Sequence, residues 1–303
     1  MTASPWAVVL AGGDGERVSA LTRDAGGGVV PKQFWSCEGQ APMLQWALAR
    51  ARRIAPAPHV LVVVNECHRV FWEPQLADLR RRNLVRQPSN RGTAAGVLLA
   101  LVEIRARGSG ASPVVLLPSD HYVGDEALLH GALAAAVRAA RDDGGSVLLL
   151  GMTPEDAGTG YGWILPATGD VVSPVAQFVE KPPPGDIGPM VRRGALVNSF
   201  ILVARVHALL DVIEHELPDV VRAFERGAAG AAGPGVGRLY DELPTVDLSR
   251  DVLERAAGRL SVVRVPPCGW TDLGTPERLL RFMARAPAIP PAPRPPAHHA
   301  AAA

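Results

Sequence analysis

Short unbroken apolar runs recur along the first half of the chain, separated by stretches in which apolar residues come every three or four positions. Residues 6–10, 59–64, 114–117 and 146–150 read as strands buried on both faces, because none alternates with polar positions. Residues 43–54 put Leu44, Leu48 and Ala51 on one helical side. Residues 93–105 and 128–141 are Ala- and Leu-rich and read as helices, with Thr93 the expected N-cap of the first. Residues 66–82 read as a further helix that Pro74 interrupts or kinks. This alternation predicts an α/β fold with a mainly parallel mixed sheet and helices on both faces. Ligands of such sheets bind beyond the carboxyl ends of the strands.

The second half is more mixed. Residues 161–165, 176–180, 197–204 and 260–265 read as strands, and 207–216, 220–226, 248–257 and 276–284 as helices, with Asp251 in the first turns of the third. Residues 227–237 form a Gly/Ala stretch without period, expected to be a mobile loop. From Ala286 the chain is Pro and Ala with His298 and His299, too poor in apolar bulk to pack. The division expected is therefore one domain over 1–285 and a disordered tail over 286–303. No internal repeat is present.

Composition narrows the function. The 303 residues carry a net charge of +1, so no basic footprint argues for nucleic acid. The run Arg80-Arg81-Arg82 is expected on a solvated helix end. Cys37, Cys67 and Cys268 are scattered and fit a reducing cytosol. No apolar run reaches the roughly 20 residues that span a bilayer, and the first residues lack a signal-peptide pattern. A soluble cytoplasmic protein is the expectation. Of 31 basic residues only two are lysines, Lys32 and Lys181. A chain that uses arginine almost everywhere yet keeps two ammonium groups points to a need for them, because Lys and Arg present different geometries.

Candidate chemistry lies at the ends of the expected strands. Leu10-Ala11-Gly12-Gly13-Asp14-Gly15-Glu16-Arg17 is an apolar run ending in a glycine loop closed by arginine, with Lys32 downstream. Exposed backbone N–H groups beside Arg and Lys suit phosphate, although such loops also serve as ordinary turns. The spacing is not Gly-x-Gly-x-x-Gly and no helix signal follows directly, which excludes a dinucleotide-binding dehydrogenase. Asp120 ends a buried strand, where a carboxylate needs compensation. A hard cation such as Mg²⁺ would supply it, and capping the next helix would do so equally. Asp272, flanked by glycines, is either a second metal carboxylate or a turn residue. Glu180-Lys181-Pro182 ends another strand; it suits a sugar hydroxyl and a phosphate, or is a surface ion pair of little consequence.

Taken together, these residues carry a family resemblance. Leu-Ala-Gly-Gly-x-Gly-x-Arg at 10–17, Pro-Lys-Gln-Phe at 31–34, Leu-Pro-Ser-Asp-His at 117–121, Gly-Tyr-Gly-Trp-Ile at 160–164, Phe-Val-Glu-Lys-Pro at 178–182, Asn198-Ser199 and Gly-Trp-x-Asp-Leu-Gly at 269–274 stand in order. The chain resembles the sugar-phosphate nucleotidyltransferases over residues 6 to 284, and among them the mannose-1-phosphate guanylyltransferases. A cytidylyltransferase of isoprenoid synthesis shares the glycine loop and Pro-Lys-Gln, but not Phe-Val-Glu-Lys-Pro or the second aspartate motif. The resemblance implies a Rossmann-like, GT-A-type fold. It also implies Mg²⁺-dependent transfer of GMP from GTP to mannose 1-phosphate by direct in-line attack, giving GDP-mannose and pyrophosphate.

The resemblance further implies roles by motif position. Leu10, Ala11, Gly12, Gly13, Gly15, Gln87, Asn90, Thr93 and Ser119 would surround the nucleotide. Arg17, Lys32 and Lys181 would be catalytic, the first two at the triphosphate and Lys181 at the sugar phosphate. Gly162, Glu180 and Asn198 would surround the sugar, and Asp120 and Asp272 would hold the metal. The chain departs from the common pattern at Gln87, where Glu is usual, at Gly92 for Asn, at Ala20 for Pro, and at Phe200 for Gly. The span from Arg23 to Pro31 is also longer than the commonest form. These departures touch the base and the sugar rather than the phosphates. Another sugar 1-phosphate or nucleotide is therefore the alternative reaction. A non-catalytic nucleotide-sugar sensor should have lost one of Arg17, Lys32, Asp120, Lys181 or Asp272, and all five are present. Oligomeric state, a homo-oligomer included, is left open.

Overall fold

The first strand, β1 (Trp6–Ala11), shows why its sequence does not alternate. Ala7, Val9 and Ala11 enter one apolar cluster, and Trp6 and Val8 enter another on the opposite face of the sheet. The computed structural model describes residues 3–37, 40–154, 158–227 and 235–285. In it β1 pairs in parallel with β2 (Val60–Asn65) and β4 (Pro113–Pro118), and β2 with β3 (Leu84–Gln87). β8 (Leu196–Arg205) lies antiparallel between β4 and β5 (Val147–Met152). β9 (Leu260–Val265) runs parallel to β5, and β7 (Val172–Glu180) and β6 (Gly162–Pro166) complete the sheet in antiparallel pairing. The order is β3-β2-β1-β4-β8-β5-β9-β7-β6.

Among the described residues, β7 and β8 run against the other strands. The expected parallel sheet therefore holds from β3 to β4. Beyond β4 most ladders are antiparallel, which corrects the mainly parallel reading for that half. Helices α1 (Met43–Ile54), α4 (Glu126–Asp142) and α9 (Pro276–Arg285) pack on one face. Helices α3 (Gly92–Ala106), α6 (Val206–Glu216), α7 (Pro218–Gly227) and α8 (Gly235–Glu242) pack on the other. Helix α3 is buried on nearly all sides, from Ala94 to Ile104, as an all-round apolar helix must be.

Several local expectations change. The helix expected over 66–82 is a 3₁₀ turn (Glu66–His68) and a short α2 (Arg69–Gln75) that stops just after Pro74, which removes a helical donor. Arg81–Asn83 is another 3₁₀ turn rather than a helix end, and it leads into β3, too short to stand out in the sequence. Thr93 is not an N-cap: α3 starts at Gly92, and Thr93 Oγ1 instead accepts the Leu248 backbone N–H at 2.8 Å. The helix expected over 248–257 is a π-helical turn, Ser249–Leu253, followed by a 3₁₀ turn. Gly235 to Gly237 belong to α8 rather than to a loop. The remainder of that expected loop, 228–234, and the tail from 286 lie outside the described residues. Helix α5 (Pro184–Arg192), unexpected from a segment that holds Pro184 and Pro189, packs Ile187 and Met190 inward.

Candidate active site

The carboxyl ends of β1, β2, β3 and β4 open onto one cleft with two connected lobes. The first is a cavity of about 350 Å³ lined by Leu10, Gly12, Gly13, Gln87, Ser119 and Phe200 among others. The second lobe is lined by Arg17, Lys32 and Gly274, and the two share Gly15, Asn90, Asp120 and Asp247. Thr93 also lines the first lobe. Of the expected nucleotide residues only Ala11 stands back from the cleft; it is buried, and its carbonyl accepts from Gln33 Nε2.

Local hydrogen bonds explain how the glycine loop keeps its form. Gln33 Nε2 donates to the Gly13 carbonyl at 2.6 Å, so the glutamine of Pro-Lys-Gln-Phe props the loop from below. Ser119 Oγ donates to the Leu10 carbonyl at 2.7 Å, tying the end of β4 to β1. Gly15 has φ +66°, and a Cβ there would come 2.9 Å from the Lys32 backbone nitrogen. Buried Gln87 lies over Gly12, where a Cβ would meet its Nε2 at 2.4 Å, and accepts from the Tyr240 hydroxyl at 3.3 Å. Asn90 Nδ2 donates to Asp14 Oδ2 at 2.6 Å, linking the loop to the segment before α3.

Lys32 stands between the two candidate metal acids. Its ammonium pairs with Asp120 Oδ2 at 2.8 Å and donates to the Asp272 carbonyl at 2.5 Å, on a side chain only 5% exposed. Reciprocal backbone hydrogen bonds between Tyr122 and Thr271 hold the two acid-bearing loops side by side. Asp272 Oδ1 accepts from the Gly274 N–H and from Arg278. Burial alone would raise the Asp120 carboxyl, but Lys32, aided by His121, holds it below the usual carboxylate range. Burial brings His121 down to about 4, so its imidazole is neutral at pH 7. Its Nδ1 accepts from Trp270 Nε1 at 3.3 Å, which leaves the proton on Nε2, facing Asp120.

The expected sugar residues form a second group. Gly162 is registered opposite Glu180, and a Cβ on it would meet Glu180 Oε2 at 2.6 Å and the Asn198 Cβ at 3.3 Å. The glycine therefore makes room for the acid. Lys181 is exposed, with Nζ 3.3 Å from Glu180 Oε1. Burial raises the Glu180 carboxyl, opposed by Lys181 and reinforced by Asp247 and Glu254. Asp247 also lies on the shared wall of the cleft.

Sequence reasoning missed Asp247 and Arg278. Asp247 precedes the π-helical turn and accepts the Arg250 N–H, the signature of a cap rather than of a site. Arg278 is one arginine among many; its guanidinium lies 3.9 Å from the Tyr161 ring centroid and pairs with Asp272. The non-glycine residues with positive φ among those described are Lys181, Phe200 and Leu273, each in a site motif, as strain held at functional loops would give. Phe200 (φ 56°) sits where β8 slips register against β5, next to an Asn198 side chain that accepts its N–H. Phe200→Gly relieves about 1–2 kcal/mol of left-handed strain but strips an aromatic wall from the first lobe. The expected result is a near-unchanged melting temperature and roughly tenfold weaker nucleotide binding by calorimetry.

A glycine loop, a buried ammonium held by the Asp120 carboxylate and the Asp272 carbonyl, and the Gly162, Glu180 and Asn198 group on adjacent strands make up the candidate site. The nucleotidyl transferase family matches residues 6–287, and the chain belongs to that family. It is 31% identical over 296 residues to mannose-1-phosphate guanylyltransferase ManC of Salmonella typhimurium, covering 92% of this chain and 60% of that protein. It is 32% identical over 286 residues to the mannose-1-phosphate guanylyltransferase of Escherichia coli K12, covering 88% of this chain and 57% of the relative. The chain thus spans less than two thirds of the length of these relatives. A solved structure described as mannose-1-phosphate geranyltransferase from Thermus thermophilus superposes with a TM-score of 0.78 at 28% identity, covering 90% of this chain and 77% of that one. No helix among the described residues is long and apolar enough to cross a membrane.

Proposed function

We propose that this chain transfers GMP from GTP to mannose 1-phosphate, giving GDP-mannose and pyrophosphate, in the cytoplasm. The observation that carries the proposal is the Lys32 ammonium in the second lobe, held between the Asp272 carbonyl and Asp120, which both lobes share. A phosphate oxygen of the sugar phosphate attacks the α-phosphorus as the bond to the leaving pyrophosphate breaks. No residue forms a covalent intermediate, so the protein contributes positioning and charge stabilisation. Gly12, Gly13 and Gly15 offer close backbone approach to the nucleotide. Gln87, Asn90, Thr93 and Ser119 border the nucleoside. Arg17 and Lys32 neutralise the triphosphate, Lys181 the sugar phosphate, and Glu180 and Asn198 accept and donate hydrogen bonds to hydroxyls beside Gly162.

Asp120 and Asp272 would hold Mg²⁺. Their fit is supported by the paired Tyr122 and Thr271 backbones, which set the two acid-bearing loops side by side, and by the cation that each carboxylate already faces, Lys32 at Asp120 and Arg278 at Asp272. Bound there, the ion supplies further neutralisation of phosphate charge. Asp272→Asn also leaves Arg278 without its carboxylate partner. The expected result is a loss of roughly 10²-fold or more in turnover and a higher Mg²⁺ requirement. Unchanged metal dependence would remove Asp272 from the metal site.

A second reading, the same transfer with another nucleotide or sugar 1-phosphate, is favoured by one observation. Gln87, Gly92 and Phe200, three departures from the common motifs, all line the first lobe. Pyrophosphate release from a panel of nucleoside triphosphates against sugar 1-phosphates separates the two. Fastest turnover is expected for GTP with mannose 1-phosphate, and preference for another pair would replace it.

A further inference from the structure

Asp14, Cys67 and His68 come together beside the glycine loop, and none has a role in the transfer described above. Asp14 lies between Gly13 and Gly15, and Cys67 and His68 lie in the 3₁₀ turn that follows β2. Because β1 and β2 are parallel neighbours, with Ala11 opposite Val64, the segments leaving their carboxyl ends run side by side. One carboxylate oxygen, the thiol sulfur and one imidazole nitrogen all lie within 4.8 Å of one another. His68 Nε2 faces Asp14 Oδ1 at 3.5 Å, while Asp14 Oδ2 is engaged separately by Asn90.

The surroundings suit ligation. The Asn65 side chain accepts the Cys67 N–H and fixes the turn. The Phe34 ring packs edge-on against His68 with centroids 6.0 Å apart, limiting the ring's freedom. His68 Nδ1 is buried and has no hydrogen-bond partner among the described residues, and Nε2 is the nitrogen that faces Asp14. Asp14 and Cys67 are exposed and can draw inward to the shorter spacing of a bound ion.

A mixed oxygen, sulfur and nitrogen set selects a borderline ion of the zinc type over Mg²⁺ or Ca²⁺, which take oxygen ligands. We propose that Asp14, Cys67 and His68 form a zinc-type metal site, distinct from Asp120 and Asp272, that clips the glycine loop to the turn after β2. The thiol proton leaves to solvent on binding, water completes the coordination, and Asp14 Oδ2 keeps its bond to Asn90.

The test titrates chelator-stripped protein with Co²⁺ and then Zn²⁺. The expected result is a near-ultraviolet thiolate-to-cobalt charge-transfer band that saturates at one ion per chain and is erased by Zn²⁺. It is absent in Cys67→Ser, and Zn²⁺ binding, measured by chromophore competition, weakens roughly tenfold or more in His68→Gln and Asp14→Asn. Asp272→Asn retains the band, because an ion held by oxygens alone gives none, so this outcome is independent of the transferase reading. No band, or a band that survives Cys67→Ser through Cys37 or Cys268, overturns the site, as does equal Zn²⁺ affinity in wild type and all three variants.

Discussion

Lys32→Arg is expected to lower nucleotidyl transfer by roughly 10²–10³-fold, the scale on which removing one well-placed charge donor reduces turnover. The ammonium reaches both Asp120 Oδ2 and the Asp272 carbonyl from a side chain that is 5% exposed. A guanidinium is a wide planar fork and cannot occupy the point where those two oxygens converge. The substitution keeps the charge and loses the place, so it separates geometry from electrostatics. Lys32→Ala should lose about as much. Urea unfolding of both variants shows whether the fold is retained, and an Lys32→Arg enzyme within about threefold of wild type in kcat/KM would remove Lys32 from the phosphate path.

Gly92→Ala is expected to destabilise the protein by about 2–5 kcal/mol, a large part of the roughly 5–15 kcal/mol that domains usually possess. Gly92 has φ +83°, and a Cβ there would stand 2.1 Å from the Val246 carbonyl oxygen. That carbonyl accepts the Ala94 N–H at 3.2 Å, and the Val246 N–H donates to the Arg91 carbonyl at 3.1 Å. A methyl group therefore breaks a backbone clamp between the start of α3 and the segment that carries Asp247. Both line the first lobe, so nucleotide affinity should fall with stability. Gly13→Ala is the control, because nothing lies within 4 Å of a Cβ at that position. A Gly92→Ala midpoint equal to that of Gly13→Ala would contradict the clamp.

Gly92 also illustrates what the sequence carries and what it hides. As a residue standing where the commonest form of the resembled motif has Asn, it reads as a departure near the expected base. Its physical cause lies in Val246, in the far half of the chain, which no local pattern reveals. Of the strands that open the cleft, β1, β2 and β4 were legible because each is buried on both faces, and so lacks alternation. The reversal of β7 and β8 was not, because a short apolar run has no direction. Thr93 has the chemistry of an N-cap, yet its oxygen serves Leu248, a tertiary use that overrides the local rule. The helix expected at 66–82 failed at Pro74 and at a β3 of four residues.

The candidate site gathers as the motif positions imply, more closely than the topology followed the apolar pattern. Its residues occupy ordered motifs at strand ends, and the fold brings the nucleotide set to one cleft and Gly162, Glu180 and Asn198 to adjoining strands. The scarcity of lysine pointed to Lys32 before its partners were known. Lys181 stays at the exposed rim with Glu180. Asp247 and Arg278 stayed hidden because each has a commonplace local explanation, a cap and a helix arginine. Asp247 stands out only by the cleft that it lines, and Arg278 only by the Asp272 carboxylate that it pairs.

The most direct measurement follows phosphorus resonances in a mixture of the protein, Mg²⁺, GTP and mannose 1-phosphate. The account predicts pyrophosphate and GDP-mannose in equal amounts, formed only when both substrates are present and suppressed in Lys32→Arg. Pyrophosphate release that ignores the sugar phosphate, or no turnover with any sugar 1-phosphate and nucleoside triphosphate, would contradict it.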